Sequence, residues 1–441
     1  MTAPPRIGRI MGIIELGDVS APDFPAGPDP GPAPRRHRRR LRLLAAAAAA
    51  LCLAGSGRPA PPGLVESWSA ATGVDDYPFP FRDAVLLNHS TPDGASAMTV
   101  LDLATGEVRW RSSDQGWLNP DPESGQLYAP RRTRTAQLPN ATIMFGTDTQ
   151  TFDAATGRML WRRDGDELAA TAGEVLLGDR DEQGRISALH LVRAGDGGPV
   201  WDRPIPVSPR VAVSDEPADT ARIVYVTEAG ELTTLRYADG ARLATRRLPG
   251  PPAEPRWVPQ ILNGMFFDVR GGASATAVTA YRVDTLAQAW RFTTTAGDVY
   301  VQDCGPVLCV NDLYQATGVD PATGAARWRL PAADLTPLGG GRLLLTGRDQ
   351  TADRTVVDAS TGRVLGAAPR GSTILLVDGG GLLALRDVPG PPYLVSISRW
   401  DPVSGRTALL GAVPGRADAC QPAGRRLICH VAGHLGVTDV G

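Results

Sequence analysis

Asp153-Ala-Ala-Thr156-Gly157-Arg-Met-Leu-Trp161 is the stretch that decides the fold. An apolar run enters an aspartate whose carboxylate can accept backbone N–H bonds and fix a turn. Glycine takes a positive φ at little steric cost. A tryptophan leaves four residues later, its flat side chain suited to wedging between neighbouring sheets. The pattern Asp-x-x-Thr-Gly-x-x-x-Trp recurs intact at Asp102, Thr105, Gly106 and Trp110, and at Asp320, Thr323, Gly324 and Trp328. Degenerate copies centre on Asp196-Gly197 before Trp201, Asp239-Gly240, Asp284 before Trp290, Asp358 with Thr361-Gly362, and Asp401 with Ser404-Gly405. Taking the glycine position in each, with Leu286 in the fifth, the steps are 51, 40, 43, 46, 38, 38 and 43 residues. A period of that size built from short strands predicts an all-β propeller.

The strands between the motifs are short: Glu174-Val-Leu-Leu177, Arg222-Ile-Val-Tyr-Val226 and Ile374-Leu-Leu-Val377, each bounded by Gly, Asp or Pro. Of nine tryptophans, six (68, 110, 161, 201, 290 and 328) fall at the motif position, which makes them cement between blades rather than ligand-stacking platforms. Leu64-Val-Glu-Ser-Trp68 reads as the tryptophan strand without its turn, and Leu435-Gly-Val-Thr-Asp439 as a strand entering a turn whose partner is missing. Pairing the two ends would complete one blade and remove a free edge. Eight internal copies and one split copy allow seven to nine blades; since four to eight is usual, the expectation is eight four-stranded blades over residues 64–441.

The formal net charge of -2 gives no global electrostatic case for nucleic acid. All 45 basic residues are arginine, so there is no lysine for Schiff-base chemistry or for a phosphate-binding GxxxxGK[ST] loop.

Residues 1–40 are Pro-rich and polar apart from Ile13-Ile-Glu-Leu16, and read as a disordered cytoplasmic leader. Arg35-Arg-His-Arg-Arg-Arg40 then precedes an apolar run from Leu43 to Gly57. A positive cluster before such a run keeps the N-terminus inside and directs the downstream chain across the membrane. Residues 41–57 are therefore expected to be a retained single-pass anchor, or a signal segment if Ala54 and Ser56 mark cleavage. Cys52 follows Leu51 where a lipobox wants a small residue, and reads as an inert cysteine. Residues 58–63 form a Pro-rich linker.

The remaining cysteines fall in two pairs, Cys304 with Cys309 across a Gly-Pro turn and Cys420 with Cys429 across a Pro-Ala-Gly turn. An even number facing each other across hairpins of an exported chain predicts two disulfides. The second cysteine of each pair stands 11 or 10 residues before Asp320 or Asp439, so both bridges should clamp the same hairpin in two blades. Four free thiols or a zinc site are the weaker readings, since CxxC spacing is absent.

The turn motif resembles the PQQ-like (pyrroloquinoline-quinone-like) repeat of quinoprotein alcohol dehydrogenases and of the propeller lipoprotein in outer-membrane assembly, over roughly residues 64–441. The arginine cluster, Ala-rich run and linker resemble single-pass members of this group in high-GC Gram-positive bacteria. The dehydrogenase branch implies adjacent cysteines above the quinone, and calcium-binding loops with a catalytic aspartate; no two cysteines here are adjacent, and the chain is shorter. The assembly branch implies a scaffold whose partners sit in an outer membrane.

Other candidate chemistry is thin. Asp179, Asp181 and Glu182 read as a solvated hairpin tip rather than a calcium site, with Arg180 and flanking glycines among them. His430 and His434 lie on a strand-like segment, and Gly339–Gly341 and Gly379–Gly381 read as turns before apolar strands. His89 and His190 meet no GxSxG elbow. The expectation is therefore a non-catalytic extracytoplasmic module without catalytic residue, metal or cofactor, docking a protein or envelope component; a small quinoprotein oxidoreductase, or its non-catalytic remnant, is the alternative.

Overall fold

The computed structural model describes residues 63–90, 96–112, 118–138, 141–171, 173–214, 216–217, 219–250, 260–271, 275–295, 299–312, 314–347, 354–431 and 433–441. The leader 1–40, the segment 41–57 with Cys52, and all of the 58–63 linker except Gly63 lie outside these residues. Among the described residues no helix is long and apolar enough to cross a membrane.

Thirty-six strands form nine four-stranded antiparallel sheets, and two more form a separate hairpin. Eight sheets are consecutive blades, over residues 77–112, 119–164, 166–208, 210–247, 261–294, 300–331, 334–367 and 373–414. The ninth combines Cys420–Ala423, Arg426–Val431 and His434–Asp439 with Glu66–Ala71 from the other end of the chain, Ala71 lying opposite His434. Termini-built closure is thus present, but the expected eight blades are nine. The usual range of four to eight blades is exceeded here, because hydrogen bonding between strands makes a blade and the motif only links it to its neighbour, so a degenerate motif does not mean a missing blade. Blade four has Ala244 where the tryptophan should stand, and blade five has Leu286 for glycine; both still carry four paired strands.

First strands of neighbouring blades touch, as Tyr77–Phe81 and Thr373–Val377 do Cys420–Ala423, which places them around the axis. Successive apolar residues of a buried strand serve opposite junctions, as Ile223 and Tyr225 pack towards blade three and Val224 and Val226 towards blade five, and one buried cluster lies at every junction around the ring. The one between blades two and three holds Tyr128, Trp161, Val175, Leu177, Val192 and Ala194.

The motif acts across those junctions. The Asp153 carboxylate accepts Thr156 N and Oγ1 at 2.8 Å and closes the turn. Gly157 sits at φ 70°, and a Cβ placed there would stand 2.5 Å from the Trp110 ring. Trp110 of the preceding blade lies flat on that glycine and donates Nε1–H to Ala154 O at 2.8 Å. The arrangement repeats with Trp68 on Gly106, Trp161 on Gly197, Trp201 on Gly240, Trp290 on Gly324 and Trp328 on Gly362. Their indoles donate to Leu103, Ala194, Tyr237, Pro321 and Ala359 carbonyls. A tryptophan removed from such a site costs about 3–5 kcal/mol, against about 1 for one hydrogen bond, so these indoles dominate the junctions.

Where tryptophan is absent the substitute differs. At the junction of blades four and five, Arg246 stacks 5.1 Å from the Tyr281 ring centroid and donates to Leu286 O at 3.0 Å, with Leu286 buried in the glycine's place. At the next exception Gly366 lies close beneath Pro402 O.

Alternation of strand direction sorts the connections. Turns joining first to second and third to fourth strands share one face, the turn face; the second-to-third and blade-to-blade connections share the other, the loop face. Both disulfides, Cys304–Cys309 and Cys420–Cys429, close first-to-second hairpins, in blades six and nine, as the spacing predicts. Strand Glu66–Ala71 is entered from the turn face.

Substituting Gly157 by Ala should therefore cost more than substituting Gly405, whose φ is 68° but whose missing Cβ faces nothing within 4 Å. Gly405→Ala carries only backbone strain, about 1 kcal/mol, while Gly157→Ala adds about 1–3 kcal/mol of overpacking against Trp110. Denaturant unfolding of both variants checks this; equal losses would contradict the docking role.

Candidate functional site

On the turn face the polar side chains serve the fold. Asp102 Oδ1 accepts Ala104 N and Thr105 N, and its Oδ2 accepts from Arg109, which also reaches Asp83. Asp320 does the same with Ala322 N, Thr323 N and Arg327. Asp358 and Asp401 bond their own turns. The bond from Arg109 holds the Asp102 carboxyl down at about 2 against the opposing effect of burial, and Arg327 holds Asp320 at about 2 in the same way. Every intact motif residue read from the sequence, Asp102, Gly106, Trp110, Asp153, Gly157, Trp161, Asp320, Gly324 and Trp328, is thus placed in a junction.

The histidines among the described residues are structural too. His89 Nδ1 lies 2.8 Å from Asp76 and its Nε2 2.8 Å from Thr99 Oγ1. That order is the one a nucleophile-activating triad uses, but Thr99 is buried and its hydroxyl has no open side for substrate. Asp76 also accepts Gly73 N, so the series pins the connection 72–76 to blade one. His430 bonds Thr72 and His434 bonds Glu66, both tying the terminal strands together. His190 stands between Asp202 at 2.7 Å and Asp179 at 3.0 Å, which outweigh burial and raise its pKa. Asp181 accepts Gln183 N and Arg185 N, closing the hairpin tip read from the sequence. Gly339–Gly341 and Gly379–Gly381 lie at first-to-second turns, most at positive φ.

The loop face differs. Between the second and third strands of blade two it carries an inserted hairpin, Arg134–Leu138 with Ala141–Phe145. Phe145 and Ala136 are buried, with Ile143 against Gly184 of the next blade, while Met144 is exposed. Buried Asp148 at the hairpin base is held by Arg132 at 2.6 Å and Arg162 at 2.5 Å. Four aromatic side chains stand out on this side: Tyr77 is 58% exposed and Phe79 43%, on the inner strand of blade one, with Tyr314 at 58% and Tyr393 at 64% in second-to-third connections. They are the exposed aromatics among the described residues. Tyr77 and Phe79 flank a shallow cleft of about 70 Å³, open to solvent, between blades one and two, with Leu86, Met98, Leu118, Pro120 and Asn88 as its other lining. Sequence reading missed this cleft, because Tyr77-Pro-Phe-Pro-Phe81 looks like an ordinary apolar strand until its neighbours leave it uncovered.

Near the axis, inner strands are latched side chain to side chain. Asn119 donates to Glu167 at 2.8 Å, and Tyr300 to Asp334 at 3.1 Å. Burial raises the Glu167 carboxyl and pushes Tyr300 up to about 12.

Residues 182–334, from blade three to the start of blade seven, match the family model described as outer membrane protein assembly factor BamB. Among solved structures, BamB from Moraxella catarrhalis aligns at 14% identity over 85% of this chain and 99% of that one, with a TM-score of 0.41. A eukaryotic initiation factor aligns at 12% identity over 80% and 90%, with a TM-score of 0.52. A quinohemoprotein alcohol dehydrogenase from Pseudomonas putida HK5 aligns at 11% over 86% and 77%, at 0.38. Comparison with curated proteins gives no match. The repeats are PQQ-like, as the turn motif implies.

Depressed aspartate pKa values stabilise the fold above the ordinary aspartate range, about 3.9, and that stabilisation disappears as pH falls towards 2. Asp102→Asn keeps an acceptor for the turn but loses the charge, so melting temperature should drop by roughly 2 °C at pH 7. Below pH 4 the variant should approach the parent. A constant gap down to pH 2 would contradict the pairing with Arg109.

Proposed function

We propose that this PQQ-like propeller is a non-catalytic binding module outside the cell membrane, tethered by residues 41–57, which docks a protein on its loop face. The observation that carries this reading is the segregation of side chains between the two ends of the ring. Aspartates, threonines and glycines of one end are committed to turns and junctions, while the exposed aromatics gather at the other. Tyrosine and phenylalanine supply large contact area at low entropic cost and are enriched where proteins dock.

Two disulfides support an oxidising compartment, in keeping with export past the arginine cluster. The family matched by residues 182–334 is described as an assembly factor, and a general assembly role suits a ring with one committed and one adaptable face.

Site-specific photo-crosslinkers placed in cells at Tyr314 and Met144 should form protein adducts, and crosslinkers at Thr105 and Thr361 should not. Adducts from the turn face alone would contradict the assignment. Calorimetric titration with pyrroloquinoline quinone and calcium should give no heat; stoichiometric binding would overturn the non-catalytic reading.

A further inference from the structure

Equivalence between the repeats singles out one junction by its charge. Counting along each fourth strand from the tryptophan position, the residue two beyond it faces the next blade and the residue one beyond it faces the previous blade. Phe292 and Arg329 show the pairing directly: the Arg329 guanidinium lies 6.0 Å from the Phe292 ring centroid across the junction of blades five and six. Equivalent pairs are Ser112 with Arg162, Arg163 with Asp202, Arg203 with Thr245, and Arg246 with Arg291. Among the nine junctions of the described residues, that of blades four and five alone sets arginine against arginine.

The two guanidinium groups stand over further positive charge. Arg246 lies 5.1 Å from the Tyr281 ring centroid and uses Nη1 on Leu286 O. Arg210, Val226, Leu232 and Arg246 form one cross-strand row of blade four. Val226 and Leu232 are buried against blade five, so both arginines of the row point that way. From blade five, Phe266 and Tyr281 belong to the same buried cluster. Asp268 and Arg270 follow Phe266 at two-residue steps, and Arg291 ends the row that runs from Asp268 through Thr279. Asp268 is buried and accepts Arg270 Nε at 2.6 Å. Burial lowers the Arg210 pKa, with Asp268 opposing and Arg270 adding to the effect. Burial raises the Tyr281 hydroxyl, Asp268 adds to this, and Arg246, Arg270 and Arg291 oppose it. Among the described residues the cleft thus gathers four arginines and one carboxylate. Ala244 stands there in place of the indole that fills this position at six other junctions.

Like charges held face to face in a partly buried cleft repel one another unless an anion lies between them. Guanidinium forks match phosphoryl oxygens, and a phosphoryl group accepts several such donors at once. Its charge of about -1.5 to -2 also balances two arginines better than a single carboxylate does. We propose that the cleft between the outer edges of blades four and five binds a phosphoryl group between Arg246 and Arg291. The site goes beyond the docking assignment above and does not rest on it. A soluble phosphoester and a phospholipid headgroup share this chemistry, and the experiment separates them.

Calorimetric titration of the full chain in detergent tests the site, with inorganic phosphate in one series and dioctanoyl-phosphatidylglycerol in another. The parent should bind with one-to-one stoichiometry, and Arg291→Gln should weaken binding about tenfold. Arg291 is exposed and has no hydrogen bond or ion pair among the described residues, so this substitution should leave the melting curve without ligand unchanged. Arg203→Gln, at the position equivalent to Arg246 but opposite Thr245, should bind like the parent. Arg291→Glu should abolish binding, and with it the rise in melting temperature that saturating ligand gives the parent. Binding of inorganic phosphate assigns the site to a soluble phosphoester, and binding of the lipid alone assigns it to a headgroup. A parent that binds neither, with phosphate taken to about 10 mM, overturns the proposal, as does equal weakening by Arg203→Gln and Arg291→Gln.

Discussion

An indole laid on the glycine of the next blade's turn is the contact on which the ring depends. It works because three demands meet at one spot. Glycine must be left-handed to close the turn, it must lack a Cβ to admit the ring, and the aspartate must hold the turn rigid enough to receive it. Gly157 beneath Trp110 meets all three, at φ 70° with the Asp153 carboxylate bonded to Thr156. Each blade therefore depends on its successor. A sheet that could not bury its faces alone is stabilised by the accumulated junctions.

That dependence fixes the polarity of the molecule. Motif turns must face one way because every third-to-fourth connection does, and their aspartates, arginines and threonines are bound to one another or to the backbone. The opposite end carries no motif turn, although Asp76, Asp148 and Asp181 fix its connections. It carries the inserted hairpin and the exposed tyrosines, and it leaves Tyr77 and Phe79 uncovered. Exceptions to the tryptophan rule show how much the junction tolerates. When Leu286 replaces glycine there is no bed for an indole, and Arg246 bonds the Leu286 carbonyl instead. Losing the tryptophan and losing the glycine go together there.

Much of this is legible in the sequence, because the repeat places one turn, one glycine and one tryptophan per blade. The six docked tryptophans, the paired termini and both cysteine bridges can be read from spacing alone. The blade number differs by one from the expectation because motif strength is a poor proxy for sheet formation. Blade eight has Leu409 in place of the tryptophan, yet Leu394–Trp400 pairs on both sides like any other third strand. The cleft is invisible in the sequence for a different reason. Tyr77 and Phe79 have the alternation of a half-buried strand, and only the position of blade two decides that their side chains stay open. Likewise Asp76, His89 and Thr99 are far from obvious partners in sequence, and the connection into blade one brings them together.

The central claim is that the two ends of the ring divide stability from recognition. An alanine scan of exposed positions on both faces, reading melting temperature and crosslinked partner for every variant, tests it most directly. The account predicts that turn-face substitutions such as Thr156→Ala lower the melting temperature and spare the adducts, while loop-face substitutions such as Tyr314→Ala spare the melting temperature and weaken them. A scan in which both faces affect both readouts alike would contradict it.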